Sequence, residues 1–225
     1  MAEDEIPIAG KFKDKLVEKK QEIAREGRHS SGDLSPAAKR QRLPPGQRLV
    51  EKWPVLDLGL QPQVARDKWQ LGVRGAVENE IDWDWSTFMA QPQVEDVSDI
   101  HCVTSWSLYD NRWTGVSAKH LIALVKPKAT VTHVVFASHD GYTTNVPYAS
   151  FNDDDVLIAH SWQGKPITTE HGGPVRIILP KLYFWKSAKW VKRILFMERD
   201  QPGYWEVRGY HNVGDPWLDQ RYGDD

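Results

Sequence analysis

The sequence predicts an α+β fold in which a mixed or antiparallel sheet dominates and the helices are few and short. Three observations lead there. Runs rich in Val, Ile, Thr, Tyr, Phe and Trp recur from residue 69 onward, bounded by Gly, Pro, Asn and Asp. Helix-start signals are scarce and open short segments. No stretch repeats at a fixed period, so a solenoid or propeller is excluded.

Taken in order, residues 1–47 look like a charged, flexible arm. Lys11 to Arg28 carries a weak helical stripe through Phe12, Leu16, Val17 and Ile23. Gly27, Ser30, Ser31, Gly32, Ser35, Pro36, Pro44, Pro45 and Gly46 give linker composition. Lys39-Arg40-Gln41-Arg42 fits a solvated linker better than a nucleic-acid patch. The globular part, residues 48–225, starts near Leu49. Trp69 to Val77 alternates at period two, as a strand does. Asp84 can cap a short helix through Met89. Val94 to Trp106 reads as one extended stretch. Ser117 can cap a helix with Leu121, Ile122, Leu124 and Val125 on one face, ended by Pro127. Thr130 to Ser138 is a β-branched strand, and Asp140-Gly141 opens a loop of Tyr142, Thr143, Thr144 and Asn145. Val156 to Trp162 with Gln163-Gly164-Lys165 gives a strand and turn; Val175–Leu179, Trp190–Met197 and Tyr204–Tyr210 give further strands.

Composition bounds the function. With 225 residues, 27 % charged and 40 % hydrophobic, the chain holds one sizeable core plus a tail. Eleven Trp residues point to a rigid core or a lined pocket. A formal net charge of −2 argues against general nucleic-acid binding. No apolar run reaches the ~18–20 residues of a membrane-spanning helix. Cys102 is the single cysteine, so no internal disulfide can form. The acidic start MAEDEIPIAG lacks the pattern of an export signal, and a cytoplasmic location is expected.

The sharpest local signal is His171 to Met197. It contains no Asp or Glu, yet includes Arg176, Lys181, Lys186, Lys189, Lys192 and Arg193. Such a stretch either holds a phosphate-bearing ligand or forms a strand pair with a solvated basic face. Gly172 and Gly173 either make a tight connection or let backbone N–H groups approach an anion. Arg176, if buried, needs a partner: an aspartate or a phosphate. Cys102 has three readings: a packed core residue, a nucleophile, or a soft metal ligand. His101 is a poor local base, because adjacent strand residues point to opposite faces. Zinc lacks a ligand spacing here, whereas one thiolate suffices if a cofactor brings the other ligands. Tyr142 reads as a proton donor in a pocket or as a rim aromatic.

Three motifs in order, HCVTSWS around Cys102 followed by Trp113-Thr-Gly-Val116, DGYTTNVP from Asp140 to Pro147, and HGGPVRIILPKLYFWKSAKW from His171 to Trp190, resemble the molybdopterin-binding domain of the sulfite oxidase family. The resemblance runs from roughly Trp53 to Trp217 and is nearest the haem-free group, which also resembles the catalytic subunit of protein-methionine-sulfoxide reductase. It implies a mixed-sheet domain carrying a molybdenum–molybdopterin cofactor. Cys102 would be the protein's ligand to molybdenum. His171 and Arg176 would hold the pterin and its phosphate. Ser187, Ala188 and Lys189 would complete the phosphate site through backbone N–H groups and the ammonium. Ser138 would contact the cofactor, and Tyr142 would stand at the active site.

Two departures bear on substrate. The arginine that sulfite oxidases carry before their Leu-Pro-Val-like segment has no counterpart in Val50-Glu51-Lys52-Trp53-Pro54-Val55, where Arg48 and Lys52 are out of register. The Asn-Arg-Arg run after the cysteine is Val103-Thr104-Ser105-Trp106 here. The expected activity is therefore oxygen-atom transfer to or from a small or protein-bound substrate, a small molecule or a sulfoxide, sulfite not favoured, with an unidentified electron partner. A cofactor-free binding module on the same fold is the alternative, and a Cys-dependent hydrolase a third reading.

Overall fold

The computed structural model describes residues 14–26 and 41–223. The charged N-terminal stretch contributes helix α1 (Asp14–Glu26). The body then runs β1 (Arg48–Leu49), β2 (Gln70–Gly75), β3 (Ile81–Asp84), α2 (Trp85–Met89), β4 (Val94–Cys102), β5 (Trp106–Ser117), α3 (Ala118–Val125), β6 (His133–Ser138), β7 (Thr143–Pro147), α4 (Tyr148–Phe151), β8 (Leu157–Trp162), β9 (Lys165–Pro166), β10 (Arg176–Ile178) and β11 (Val191–Met197). This is the α+β, sheet-dominated architecture that the strand pattern predicts.

Among the described residues the strands form two sheets. The first is ordered β1-β5-β8-β10, with β4 paired to β5 and β9 to β8; the second is ordered β3-β2-β11-β6-β7. β2 and β11 run parallel, while β6 and β7 are antiparallel neighbours. Fully buried Trp69, Trp113, Phe136, Phe151 and Phe196 fill the core, and the Trp69 indole donates to the Val191 carbonyl at 3.1 Å. Large aromatics with one satisfied polar atom give a rigid interior.

Capping chemistry acts where the residue types require it. The Asp84 carboxylate accepts from the Thr87 N–H, and the Ser117 hydroxyl from the His120 N–H, satisfying donors that a helix start leaves open. Lys126 then takes a left-handed conformation and ends α3 just before Pro127.

Three expectations are corrected. The stretch from Val94 to Trp106 is not one strand: a turn at residues 103–105 separates β4 from β5, closed by the Ser105 N–H on the Cys102 carbonyl. The polar segment 143–147 is not a loop but strand β7. Its buried Thr144 and Asn145 side chains bond to Glu206, Asp200 and Asn212, far away in sequence. Tyr204 to Tyr210 is not a strand. It coils through a short 3-10 turn at Glu206–Arg208, which buries Tyr204, Trp205 and Tyr210 and stacks the Trp205 and Tyr210 rings.

Topology sets the position of the site. The acid-free stretch leaves the first sheet after β10 and enters the second as β11. Cys102 ends β4 in the first sheet, and Tyr142 precedes β7 in the second. Their meeting place is the seam between the sheets.

Candidate functional site at the sheet seam

A cavity of about 120 Å³ opens at this seam. Cys102, Thr104, Tyr142, Arg176, Ser187 and Lys189 all line it, together with Trp53, Asp57, Asp140 and Lys20. Residues scattered over most of the chain thus converge on one concave surface, where ligand sites form.

Cys102 is buried, and its Sγ lies 3.1 Å from the Thr104 hydroxyl. Burial pushes the thiol pKa up, and Thr104 only partly offsets this. A free thiolate nucleophile is therefore disfavoured, whereas a metal deprotonates its thiol ligand outright. His101 does not line the cavity. Its Nδ1 pairs with the Ser107 hydroxyl at 2.8 Å, and its ring meets Trp217 edge-on.

Arg176 has no aspartate partner among the described residues. Its guanidinium donates to the carbonyls of His171 and Ser187, each at 2.7 Å, and lies over the Phe184 ring at 4.2 Å. Desolvation lowers its pKa to about 9. Lys189 donates to the carbonyls of Leu56 at 2.7 Å and Glu170 at 2.6 Å. Burial first, then the nearby Arg176 charge, bring its pKa down to about 7. Among the described residues both cations hydrogen-bond to neutral carbonyls, with Asp57 and Asp140 acting on Lys189 only through space, and such desolvated cations are stabilised by an incoming anion.

Gly172 and Gly173 serve close packing. Gly172 has φ +100°, and a Cβ there would stand 2.8 Å from Lys189 Cβ; at Gly173 it would meet the Ile167 carbonyl oxygen at 2.1 Å. Their N–H groups donate to Thr169 and Thr168, so the turn orients Lys189 rather than presenting free amides. The Ser187 and Ala188 N–H groups likewise donate within the turn, to Phe184 and Lys186. Ser138, His171 and Ala188 are not among the residues that line the cavity. His171 stacks on Trp53 with ring centroids 4.0 Å apart, and burial lowers its pKa to about 4. The Ser138 hydroxyl and His171 Nδ1 are buried without a hydrogen-bond partner among the described residues.

The Tyr142 hydroxyl donates to the Trp185 carbonyl at 2.7 Å. Burial, then the charge of Glu206, hold its pKa well above the ordinary phenol value, so it is a proton-bearing donor. Nearby lies a buried ion pair that leaves no signal in the amino-acid order. Lys186 Nζ and Glu206 Oε1 are 2.6 Å apart. Glu206 Oε1 also accepts from the Trp185 indole at 2.8 Å and the Thr144 hydroxyl at 2.9 Å. Trp53 was also missed as a wall residue; the high Trp count was its only trace. Arg48 and Lys52 are exposed and do not line the cavity.

These residues fit an anionic, metal-bearing cofactor: a thiol that a metal can deprotonate, and two desolvated cations that form no ion pair with a carboxylate among the described residues. The comparisons agree. Residues 58–205 match the model of the oxidoreductase molybdopterin binding domain, and the chain belongs to that family. It is 41 % identical over 182 residues to the uncharacterized oxidoreductase YuiH of Bacillus subtilis, covering 80 % of this chain and 92 % of that protein. It is 28 % identical over 162 residues to the protein-methionine-sulfoxide reductase catalytic subunit MsrP of Ralstonia nicotianae, covering 65 % of this chain but only 49 % of the relative. Among solved structures, the sulfane dehydrogenase SoxCD of Paracoccus pantotrophus shares the fold at a TM-score of 0.57 and 16 % identity, over 76 % of this chain and 55 % of that one. The protein is thus a molybdopterin-binding oxidoreductase of sulfite-oxidase-type fold.

Proposed function

We propose that this oxidoreductase carries molybdenum–molybdopterin at the seam cavity and reduces a sulfoxide-type substrate by oxygen-atom transfer. The observation that supports it most is the convergence of Cys102, Tyr142, Arg176 and Lys189 on one cavity. Bound there, the cofactor would supply two-electron redox chemistry at the metal. The balanced reaction takes a sulfoxide, two electrons from an external donor and two protons to a sulfide and water. The likeness to MsrP supports the sulfoxide class.

Cys102 Sγ would ligate the metal, and the Thr104 hydroxyl beside it would tune the sulfur. Arg176 and Lys189 would bind the phosphate, with Ser187 on the same wall. Ser138, His171 and Ala188 do not line the cavity, and His171 would act through its stack on the wall residue Trp53. Tyr142 would turn its hydroxyl from the Trp185 carbonyl to donate at the substrate oxygen. The missing cationic handles around Arg48 and Lys52 disfavour sulfite.

The test is a substrate panel. Purified protein with reduced viologen should turn over methyl aryl sulfoxides or dimethyl sulfoxide faster than it oxidises sulfite with ferricyanide. Faster sulfite oxidation would reverse the assignment.

A further inference from the structure

α1 lies outside the segment matched by the family model, which begins at Leu58, yet it is fastened beside the seam cavity. Val17 and Ala24 bury its apolar side. The Tyr222 hydroxyl donates to the Gln21 carbonyl at 2.7 Å, and the Gln21 amide donates to the Arg208 carbonyl at 3.2 Å. The Arg25 guanidinium lies 5.3 Å from the Tyr222 ring centroid. One side chain turns inward. Half-buried Lys20 lines the cavity with Cys102, Asp57 and Lys189, and its ammonium donates to the main-chain carbonyl of Asp57.

An ammonium has three donors, and a neutral carbonyl takes one. Two carboxylates share the cavity; Asp57 attracts both Lys20 and Lys189 through space, yet each carboxylate accepts its hydrogen bonds from other groups. Asp57 accepts from the Gly59 N–H and the Gln61 amide, and Asp140 from the Tyr142 N–H. Lys20 and Lys189 both line the same small space, where their mutual repulsion is relieved by an anion.

We propose that α1 closes the cofactor site and that Lys20 is an additional anion-binding residue of it, delivered from outside the matched domain. The ligand chemistry is an oxyanion carrying negative oxygens that accept from the ammonium. It has two sources: the phosphate of a bound cofactor, or an acidic group on the substrate. The inference of closure rests on packing alone; the choice of source rests on the function proposed above.

Cys102 is the single cysteine, so alkylation of the cofactor-free, full-length protein reports access to this cavity alone. Ala24→Glu places a carboxylate at a position 1 % exposed and should undock α1, raising the iodoacetamide rate at least about tenfold. Tyr222→Phe removes the hydroxyl that donates to the Gln21 carbonyl while keeping the ring under Arg25, and should raise it about threefold to tenfold. Wild-type rates in both variants, with cooperative melts intact, would overturn the closure. Inorganic phosphate, titrated by thermal shift on the same protein, should bind Lys20→Gln about tenfold more weakly. An unchanged affinity would overturn the anion role.

In loaded protein the sources separate. If Lys20 serves the cofactor, Lys20→Gln releases pterin at least about tenfold faster. If it serves the substrate, pterin retention is unchanged and KM rises more for a carboxylate-bearing sulfoxide than for dimethyl sulfoxide. Neither change would refute the role. A protein that never takes up pterin would instead sink the proposed function, leaving the alkylation and phosphate results standing.

Discussion

Glu206→Gln tests the buried network behind Tyr142. In the native protein one carboxylate oxygen accepts from Lys186, Trp185 and Thr144 at 2.6, 2.8 and 2.9 Å. Both partners of the ion pair are at most 2 % exposed. A neutral amide oxygen weakens three charge-assisted bonds by about 1 kcal/mol each. It also removes the one carboxylate bonded to the Lys186 ammonium among the described residues, whose other acceptors are the carbonyls of Asn145 and Asn212 and the Asn145 side chain. Burial already lowers the Lys186 pKa against the opposing charge of Glu206. Together these give a loss of about 3–5 kcal/mol, the range for breaking a buried pair. Urea unfolding followed by tryptophan fluorescence would read it as a lowered midpoint. The double variant Lys186→Met/Glu206→Gln should recover at least about half the loss, since no unpaired charge remains. A single-variant cost under about 1 kcal/mol, or a double variant as costly as the two singles summed, would refute the reasoning.

Three further outcomes follow from the same structure. Lys189 has a folded pKa of about 7 against 10.5 when unfolded, so the folded state binds fewer protons between those values. Cofactor-free protein should therefore gain stability from pH 7 towards 10.5, by at most about 5 kcal/mol. Lys189→Met should flatten that rise in urea titrations across the range; an identical slope in both proteins would contradict it. Tyr142→Phe should leave pterin content unchanged, cost about 1 kcal/mol of stability, and lower kcat for sulfoxides by about 10²-fold or more. Wild-type kcat would remove Tyr142 from proton donation. Gly203→Ala would put a Cβ 2.4 Å from Thr144 Cα and 2.5 Å from the Thr143 carbonyl oxygen, costing about 1–3 kcal/mol in a urea midpoint. An unshifted midpoint would contradict that close approach.

What could be read from the sequence was local physics. Asp84 and Ser117 announced their helices because capping depends on one side chain and a few backbone donors. β6 and β11 were legible because an apolar β-branched run means a buried strand almost anywhere. β7 was not, because Thr143, Thr144 and Asn145 look like a loop until Glu206 and Asn212 arrive from distant chain. The Tyr204–Tyr210 segment misled for the opposite reason: its aromatics suggest a strand, while packing curls it into a turn. In the site, the cationic stretch revealed Arg176 and Lys189, since the absence of acid is visible in one dimension. Lys20, Trp53 and Glu206 carry no such mark. Lys20 and Trp53 reach the cavity, and Glu206 reaches Lys186, only through the folding of the two sheets.

The most direct measurement is molybdenum and pterin per chain, in wild type and Cys102→Ser purified from a host that makes the cofactor. Wild type should hold about one of each, and the variant should keep its pterin while losing most of its metal. Wild-type protein that is folded yet free of both, or a Cys102→Ser variant with undiminished molybdenum, would contradict a thiolate-bound metal at the meeting of the two sheets.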